Sequence, residues 1–515
     1  MSLRTKPLIF ILAAGVVILV TIVSFPGLDP QEIPLTSIEP AQAIEKQGEV
    51  APDEDHGQAV GASQNEDVEA AASSAIYNLH MPFMRQNYPM QTAFGVEMRF
   101  ITAEHKLEEV TTAGTTWVRK NGLLWSDVQP DNPTVYNWTA VAELEKELID
   151  AYKRGMSVIL VVRSTPRWAQ VQDGIYCGRM KDVNTFASFL EAAVRRYSVP
   201  PYNVKHWQIW NEPDVDPGFV PPNSPFGCLG SSDENVPYEG AEFYANLLKA
   251  SYPRVKAADP SSKVMIGGLL MGCDPRLPPY CTYDQSTYLE GLLVNGAANA
   301  FDGIGFHAYN DYTGTVGDYY NWGWNYPNSD SGRVPALVTK TRFIREVLNQ
   351  YSVSGKFLMA TEISLRCGHF MTDPYCVNTT DFDTTKAIYI AQAYAAAIAE
   401  GLQGVIWYST VDPWLKSGLF DDSDPQNKAY RAYAFSRSKL GDMRGGREIV
   451  ELPGVKGYEF NNGRRMVWVI WSRDGAPAVA NLSSAPKGAW DMYGGSVSLN
   501  GLSVNVTPQP VYVEW

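Results

Sequence analysis

Two glutamates each close an apolar run of the sequence, and their residue type suits catalysis. Glu212 follows the run His206–Asn211 (HWQIWN), and Glu362 follows the run that ends at Thr361 (FLMAT). A charged side chain that ends an apolar strand rarely serves packing alone, because burying its charge costs free energy. Two carboxyl groups held close together can act as an acid and a nucleophile, since each raises the pKa of the other. The pair predicts acid–base and nucleophilic catalysis if the fold brings the two strand ends together.

The elements between residues 93 and 440 predict how the two strand ends meet. Short β-rich runs alternate with amphipathic helical stretches. The expected strands are Phe94–Phe100, Thr116–Lys120, Ser157–Arg163, Val204–Trp210, Lys263–Leu270, Gly303–Ala308, Lys356–Thr361 and Gly404–Tyr408. The expected helices include Ala140–Arg154, Val183–Tyr197, Ala241–Ala258, Val334–Tyr351 and Thr385–Glu400.

Eight such units predict a (β/α)8 TIM barrel, an α/β fold in which the carboxyl ends of the strands form one mouth. Glu212 would follow the fourth strand and Glu362 the seventh, so both would face that mouth. A doubly wound sheet is the alternative, but its glycine-rich phosphate fingerprint is missing after the first strand.

A small all-β domain is expected after the barrel, over residues 442–515. Its predicted strands are Val450–Phe460, Met466–Ser472, Ala478–Leu482 and Val504–Trp515, with a hairpin turn at Asn462-Gly463. About seventy residues of this kind suggest a sandwich-like domain, which a strand from Tyr77–Thr92 could complete. Its expected role is to pack against the barrel.

Residues 1–28 hold a candidate transmembrane helix. Leu8 to Phe25 is a run of 18 residues without charge, preceded by Arg4 and Lys6. This length allows a helix to cross the hydrocarbon core, and the positive flank predicts a signal-anchor with the rest of the chain outside the cytoplasm. The alternative is a cleaved signal peptide and a secreted protein, for which Ala41-Gln42-Ala43 has the form of a cleavage site.

Most of the net charge of −14 on this 515-residue chain lies in one segment. Residues 29–74 hold eleven acidic residues, one lysine and no Phe, Tyr or Trp. Such a segment cannot bury enough apolar surface to fold, so a disordered acidic tether is predicted over residues 29–76. The barrel then spans 77–441. The chain has no surplus of basic residues that could bind a phosphate backbone. Nucleic acid is therefore excluded as a partner.

Six cysteines follow the tether, and an even number outside the cytoplasm favours disulfides. They are Cys177, Cys228, Cys273, Cys281, Cys367 and Cys376. Fifteen connectivities are possible. The pairs Cys273/Cys281 and Cys367/Cys376 are close in sequence and are natural candidates for disulfides that close a loop. This leaves Cys177 to pair with Cys228.

The strand-end motifs resemble those of clan A, the large group of retaining glycoside hydrolases built on (β/α)8 barrels. Asn211-Glu212-Pro213 after the fourth strand and Glu362 after the seventh carry the resemblance, which covers roughly residues 90–440. Cellulase-like families and the β-xylosidase and iduronidase group are similar, the latter also in its trailing β-domain. The resemblance implies a glycosidase that cleaves a β-linked or α-L-linked sugar, with Glu212 as acid/base and Glu362 as nucleophile.

The same resemblance implies supporting roles for five further residues. Arg119 would hydrogen-bond the nucleophile, and Asn211 would contact the sugar 2-hydroxyl. His307 and Tyr309 share one face of the sixth strand, near the two carboxyls, and Trp407 would lie beneath the sugar. A salt bridge at the rim for Arg119 and a satisfied core histidine for His307 are the structural alternatives.

Tryptophans in the loops after the strands fit a carbohydrate cleft, because sugar C–H faces stack on indole rings. They are Trp125, Trp168, Trp322, Trp324 and Trp414, and each is equally well explained as loop core. We expect a carbohydrate substrate and a membrane as partners, with no cofactor, metal or protein partner. A non-catalytic carbohydrate-binding barrel and a transglycosylase that uses the same two glutamates are the alternatives to a hydrolase.

Overall fold

A computed structural model describes residues 91–515 with short gaps at 232–235, 237, 277–285, 322, 325–333, 369–378, 412–413 and 423. The predicted anchor, the acidic tether and residues 77–90 lie outside the described residues. Among the described residues, no helix is both long enough and apolar enough to span a bilayer.

The core of the fold is a closed barrel of eight parallel strands, as the alternating pattern predicts. The strands are β1 Phe94–Glu97, β2 Trp117–Leu124, β3 Ser157–Arg163, β4 His206–Asn211, β5 Lys263–Leu269, β6 Gly303–Tyr312, β7 Phe357–Arg366 and β8 Gly404–Trp407. They pair in the order β5-β4-β3-β2-β1-β8-β7-β6, and the pairing of β5 with β6 closes the ring. The TIM-barrel prediction is confirmed.

Helices follow the strands and cover the outside of the barrel. They are α1 Leu107–Thr112, α2 Trp125–Val128, α3 Ala142–Lys153, α4 Val183–Tyr197, α5 Glu239–Ala258, α6 Tyr288–Val294, α7 Ala336–Gln350, α8 Thr379–Ala399 and α9 Lys428–Leu440. Because strand side chains alternate, one set faces the helices while the other fills the barrel. The lower interior is apolar and is formed by Trp117, Ile159, Met265, Met359 and Ile406.

Strands β6 and β7 continue past their predicted ends at Ala308 and Thr361. Their pairing runs on to Asp311 and Arg366. Arg366 donates two hydrogen bonds to the Asp311 carboxylate, at 2.7 and 2.9 Å, and this bidentate pair links the two extensions. Residues Thr361 to Ser364 are therefore part of the sheet, and Glu362 belongs to a strand rather than to a loop.

The C-terminal domain contains a five-stranded antiparallel sheet and a two-stranded sheet. Its strands are β9 Arg447–Glu448, β10 Val455–Asn461, β11 Met466–Ser472, β12 Ala478–Asn481, β13 Gly488–Asp491, β14 Ser503–Val506 and β15 Val511–Glu514. The larger sheet has the order β9-β10-β11-β15-β13, and β12 pairs with β14. The predicted hairpin turn at Asn462-Gly463 joins β10 to β11.

Two predicted strands of this domain differ in the structure. The expected strand Val504–Trp515 is split into β14 and β15, because Pro508 and Pro510 lack the amide hydrogen that a ladder needs. The strand expected from Val450 starts at Val455, after Pro453 and Gly454. The domain packs against the barrel as expected, and the Oγ of Ser436 on α9 is 2.7 Å from the Tyr512 hydroxyl.

One predicted disulfide is present, between Cys177 and Cys228, with a Cα–Cα distance of 5.4 Å. Cys273 is also disulfide-bonded, while its expected partner Cys281 lies outside the described residues. Cys376 lies outside them as well, so the pairing of Cys367 with Cys376 stays a prediction.

Candidate active site

The two glutamates meet in the upper interior of the barrel. Glu212 directly follows β4 and Glu362 lies within β7, and both are buried. One carboxylate oxygen of each and a nitrogen of His307 lie within 4.8 Å of one another. This separation is close to the 5–5.5 Å at which two carboxyls can divide the roles of nucleophile and acid.

The backbone around Glu212 leaves the strand geometry and turns this side chain into the barrel. Trp210 and Glu212 have φ values of 66° and 48°, a left-handed conformation that side chains other than glycine rarely adopt. The Glu212 amide still donates to the carbonyl of Gly268 on β5, at 3.1 Å. Its carboxylate Oε1 lies 2.8 Å from His307 Nδ1, while Oε2 is buried with no hydrogen-bond partner among the described residues.

Glu362 has a different set of neighbours, which stabilise its ionised form. Arg119 donates from Nη1 to Oε1 at 2.5 Å, and the Tyr309 hydroxyl donates to Oε2. His307 Nδ1 is 3.3 Å from Oε2. Two donors, one of them a full cation, are directed at this carboxylate, whereas neither is directed at Glu212.

Arg119 organises the lower layer of the site and is fully buried. In addition to Glu362, its guanidinium donates to the carboxylate of Glu97, to Gln208 at 2.7 Å and to Asn211 at 2.6 Å. Burial lowers the pKa of Arg119, but the two glutamates outweigh this effect and raise it above its usual value. Arg119 is therefore a permanent cation at the centre of the site, and the alternative of a salt bridge at the rim does not hold.

Burial and like charge set the protonation of the two carboxyls. Burial, followed by the charges of Glu362 and Asp214, raises the pKa of Glu212 well above its usual value. Burial and Glu97 also raise the pKa of Glu362, but Arg119 and Tyr309 oppose this rise. Because, of the two carboxyls, these donors contact only that of Glu362, a single proton shared by the pair is held by Glu212.

His307 is neutral in this environment. Burial, with the charges of Arg119 and Lys340, keeps its pKa well below the usual value. A neutral ring can place its one proton on Nδ1, between the oxygens of Glu212 and Glu362. His307 Nε2 is buried with no hydrogen-bond partner among the described residues and lies against Gly268. A Cβ at position 268 would be 2.0 Å from Nε2, so only glycine fits beneath the ring.

Glu212, His307 and Glu362 are also the residue types that bind metals. A cation between them would lie close to the Arg119 guanidinium, which already contacts Glu362. Two like charges at that distance repel strongly in a buried site. The arrangement therefore suits proton transfer and nucleophilic attack better than metal binding.

Four neighbours of the two carboxyls were not predicted from the sequence. Glu97 and Gln208 are polar residues within the apolar runs of β1 and β4, a signal that could have revealed them. Asp214 accepts hydrogen bonds from the amides of Leu270 and Met271 at 3.0 and 2.7 Å. Lys340 of α7 donates to the His307 carbonyl at 2.8 Å, and nothing in its helix sequence indicates that contact.

The structure places Trp407 outside the cleft, contrary to expectation. Its neighbour Ile406 fills the barrel interior, so Trp407 faces the helices, where it is buried against Tyr389. Tyr408 is the next residue, is partly exposed, and lies 6.1 Å from the Tyr309 ring, measured between ring centroids. The aromatic ring that β8 contributes to the mouth is therefore Tyr408.

The loop tryptophans divide between core and mouth. Trp125 is fully buried against Phe186, and Trp324 is buried too. Both agree with the alternative that these tryptophans are part of the loop core. Trp168 is partly exposed and donates to the Gln129 carbonyl at 2.8 Å. Trp414 is partly exposed, with its ring 5.4 Å from that of Tyr309. Trp322 lies outside the described residues.

A (β/α)8 barrel with two neighbouring buried glutamates at its mouth has the arrangement that a glycoside hydrolase needs. Residues 80–363, more than half of the chain, match the sequence model of the cellulase family, glycosyl hydrolase family 5. The chain belongs to this family and is a glycoside hydrolase. No curated protein matches the sequence.

Solved structures of low sequence identity share the fold. A family 39 glycoside hydrolase from Bacteroides cellulosilyticus WH2 is 18% identical, with a TM-score of 0.59 over 82% of this chain and 80% of that one. A conserved exported protein from Bacteroides fragilis is 12% identical, with a TM-score of 0.56 over 84% and 99% of the two chains. A family 30 subfamily 8 xylanase from Clostridium acetobutylicum is 14% identical, with a TM-score of 0.51 over 83% and 97%.

Proposed function

We propose that this protein hydrolyses O-glycosidic bonds of an oligo- or polysaccharide by a double-displacement mechanism that retains the anomeric configuration. Glu362 is the nucleophile and Glu212 the acid/base. The observation that supports these roles is the asymmetry of the pair. Arg119 and Tyr309 both donate to Glu362 and to no oxygen of Glu212, so the anion forms on Glu362 and the proton stays on Glu212.

In the first step, a carboxylate oxygen of Glu362 attacks the anomeric carbon, and Glu212 gives its proton to the leaving glycosidic oxygen. The bond from the carbon to that oxygen breaks, and an ester between the sugar and Glu362 forms. Tyr309 and Arg119 hold the attacking carboxylate in place. Arg119 also accommodates the charge that returns to Glu362 when the ester breaks.

In the second step, Glu212 acts as a base. Esterification removes the negative charge of Glu362, which is the largest charge effect that raises the pKa of Glu212. The loss of that charge favours ionised Glu212, which then takes a proton from water. The water oxygen attacks the anomeric carbon and the ester bond breaks, which restores both carboxyl groups.

Asn211 and Tyr408 are proposed to contact the sugar. Arg119 and the Pro225 carbonyl fix the two ends of the Asn211 amide, at 2.6 and 3.4 Å, next to the acid/base. Fixed in this way, the amide can bond the sugar 2-hydroxyl, an interaction that strengthens in the transition state. The partly exposed ring of Tyr408 offers a surface for stacking.

The assignment is tested with Glu362→Ala and Glu212→Ala on the best substrate from a screen of aryl glycosides and polysaccharides. Each variant should lose turnover by about 10³-fold or more, while Glu143→Ala, on the exposed face of α3, should keep it. Azide should rescue both, giving a glycosyl azide of inverted configuration with Glu362→Ala and of retained configuration with Glu212→Ala.

Equal activity of the wild type and both variants would refute the site. Sugar binding without turnover over the whole panel would favour a non-catalytic barrel, and transfer to an added sugar acceptor in preference to water would favour a transglycosylase. NMR of the first product gives its anomeric configuration. Inversion of that configuration by the wild type would refute the double displacement.

We propose that the barrel works outside the cytoplasm, tethered by residues 1–76. The apolar run Leu8–Phe25 supports the anchor, and the Cys177–Cys228 disulfide is typical of an oxidising compartment. Fractionation of cells that produce the full chain should find the protein in the membrane and sensitive to added protease. Recovery in the cytosol with reduced cysteines would contradict this location.

A further inference from the structure

Arg163 is a cation at the mouth of the barrel that has no carboxylate partner among the described residues. It is the last residue of β3 and, by the two-residue period, shares the interior face of that strand with Ile159. Its Nε donates to the amide oxygen of Asn121 at 2.7 Å. No other hydrogen bond or ion pair joins Arg163 to the part of the chain that the structure describes.

Asn121 connects Arg163 to the catalytic centre. The side-chain amides of Asn121 and Asn211 both donate to the carbonyl of Pro225, at 3.5 and 3.4 Å. Asn211 immediately precedes the acid/base Glu212. Arg163 is thus connected through Asn121 and the Pro225 carbonyl to the residue next to the acid/base.

Two other arginines that lie on barrel strands, Arg119 and Arg366, are neutralised. Arg119 contacts Glu97 and Glu362, and Arg366 forms a bidentate pair with Asp311. Arg163 differs because Asp127 and Glu97 influence it electrostatically but lie beyond ion-pair distance. Arg163 as a residue is mostly but not completely buried, and its two terminal amino groups are not among the buried polar atoms that lack a partner. They therefore reach the solvent of the cleft.

A mostly buried cation is costly unless an anion joins it. Burial lowers the pKa of Arg163 to about 10, and the like charge of Arg119 adds to the decrease, yet the group remains cationic at neutral pH. A planar guanidinium with two free amino groups has the geometry to bind two oxygens of one anionic group.

We infer that Arg163 binds an anionic substituent of the substrate, the carboxylate of a uronic acid or a sulfate ester, in the subsite next to the cleavage point. This inference rests on the proposed function and narrows its substrate class to acidic glycans. Neutral glucans should be poor substrates in comparison.

The test uses polysaccharides in matched pairs, glucuronoxylan with its carboxyl-reduced form and carrageenan with its desulfated form, together with neutral cellulose and xylan. Wild-type kcat/KM should be about 10- to 100-fold higher for an acidic member than for its neutral counterpart. Arg163→Gln should remove this preference by slowing the acidic member alone. Arg163→Lys keeps the charge and should keep part of the preference, and Arg167→Gln, an exposed rim arginine paired with Asp173, should keep all of it.

The outcomes separate the inference from the proposed function. Two outcomes would overturn the inference alone. In the first, the wild type hydrolyses neutral substrates in a reaction that depends on Glu362 but does not prefer the acidic member of a pair. In the second, Arg163→Gln lowers kcat/KM equally for the acidic and the neutral member. Affinity electrophoresis measures binding by Glu362→Gln. If this variant binds only the acidic members and the wild type turns over none of the substrates, the inference is supported and hydrolysis is overturned. Neither binding nor turnover of any member would overturn both.

Discussion

Arg119 shows how one side chain can set the chemistry of two others. It is fully buried, and its four hydrogen bonds connect β1, β2, β4 and β7 at the level of the catalytic carboxyls. A cation in that position favours the ionised form of Glu362 while Glu212, which it does not contact, stays protonated. The different roles proposed for two identical residue types thus follow from their neighbours.

Replacement of Arg119 by methionine should lower kcat by about 10²- to 10³-fold, because a buried donor to the nucleophile is lost. The acidic limb of the kcat/KM profile should move to higher pH, since the cation no longer lowers the pKa of Glu362. Steady-state kinetics across the pH range measures both effects, with Arg167→Met as the control. An unchanged acidic limb would show that Arg119 has only a structural role.

Lys340 should make stability depend on pH. Burial lowers the pKa of this lysine to about 7, compared with about 10.4 in an unfolded chain. Between these values the unfolded state binds more protons, so the free energy of unfolding should rise with pH from about 7 to about 10. The expected gain is up to about 1.4 kcal/mol per pH unit.

Urea denaturation of the wild type and Lys340→Met at several pH values isolates this effect. The wild type should gain stability relative to the variant as the pH rises, whereas the exposed-site variant Lys146→Met should follow the wild type throughout. A constant difference between the wild type and Lys340→Met from pH 7 to 10 would contradict the assignment.

Contacts between elements determine where the catalytic side chains lie. Strand β5 supplies no catalytic group, yet the absence of a side chain at Gly268 creates the space for the ring of His307 on β6. The extension of β6 and β7, locked by Asp311 and Arg366, places Tyr309 beside Glu362. Register between neighbouring strands therefore controls the geometry of the site.

Gly268→Ala should displace His307, because the added Cβ would overlap its Nε2. We expect a loss of kcat of about 10-fold or more and a shift in the alkaline limb of the pH profile, which reports on Glu212. A double-mutant cycle with His307→Ala provides the control, since the glycine substitution should cost little once the ring is absent. Additive losses would show that Gly268 acts through another group.

At the scale of the molecule, the core of the barrel extends into the C-terminal domain, which also has a smaller core of its own. The apolar cluster that covers the outside of the barrel continues into the second domain through Tyr458, Phe460, Trp471 and Tyr512. Lys439 of α9 forms an ion pair with Glu514 at 2.9 Å. A continuous core of this kind couples the stability of the two domains.

Calorimetry of the fragment from residue 75 onwards should show a single unfolding transition. Tyr512→Ala should lower the free energy of unfolding by about 3–5 kcal/mol and shift that transition as a whole, with kcat unchanged at 25 °C. Val479→Ala, at a half-exposed position of β12, is the matched control. Two separate transitions, only one of them shifted by Tyr512→Ala, would contradict a shared core.

Local patterns were enough to predict the barrel and the hairpin and to place the two glutamates at strand ends. The alternation of apolar strands and amphipathic helices is a short-range property, and the end of a strand is visible wherever a polar residue interrupts an apolar run. Because all eight strands are parallel, those ends must meet at one mouth. This constraint brought Glu212 and Glu362 together without knowledge of their contacts.

The sequence by itself thus determined the architecture, the class of chemistry and the two residues proposed to perform it. The tertiary structure decided that Tyr408 and not Trp407 faces the mouth, that Gly268 makes room for His307, and that Arg163 pairs with no carboxylate in the part of the chain that the structure describes. These features depend on contacts across the barrel between residues far apart in the chain. Such contacts follow from strand register and side-chain packing, which no periodicity in a single segment encodes.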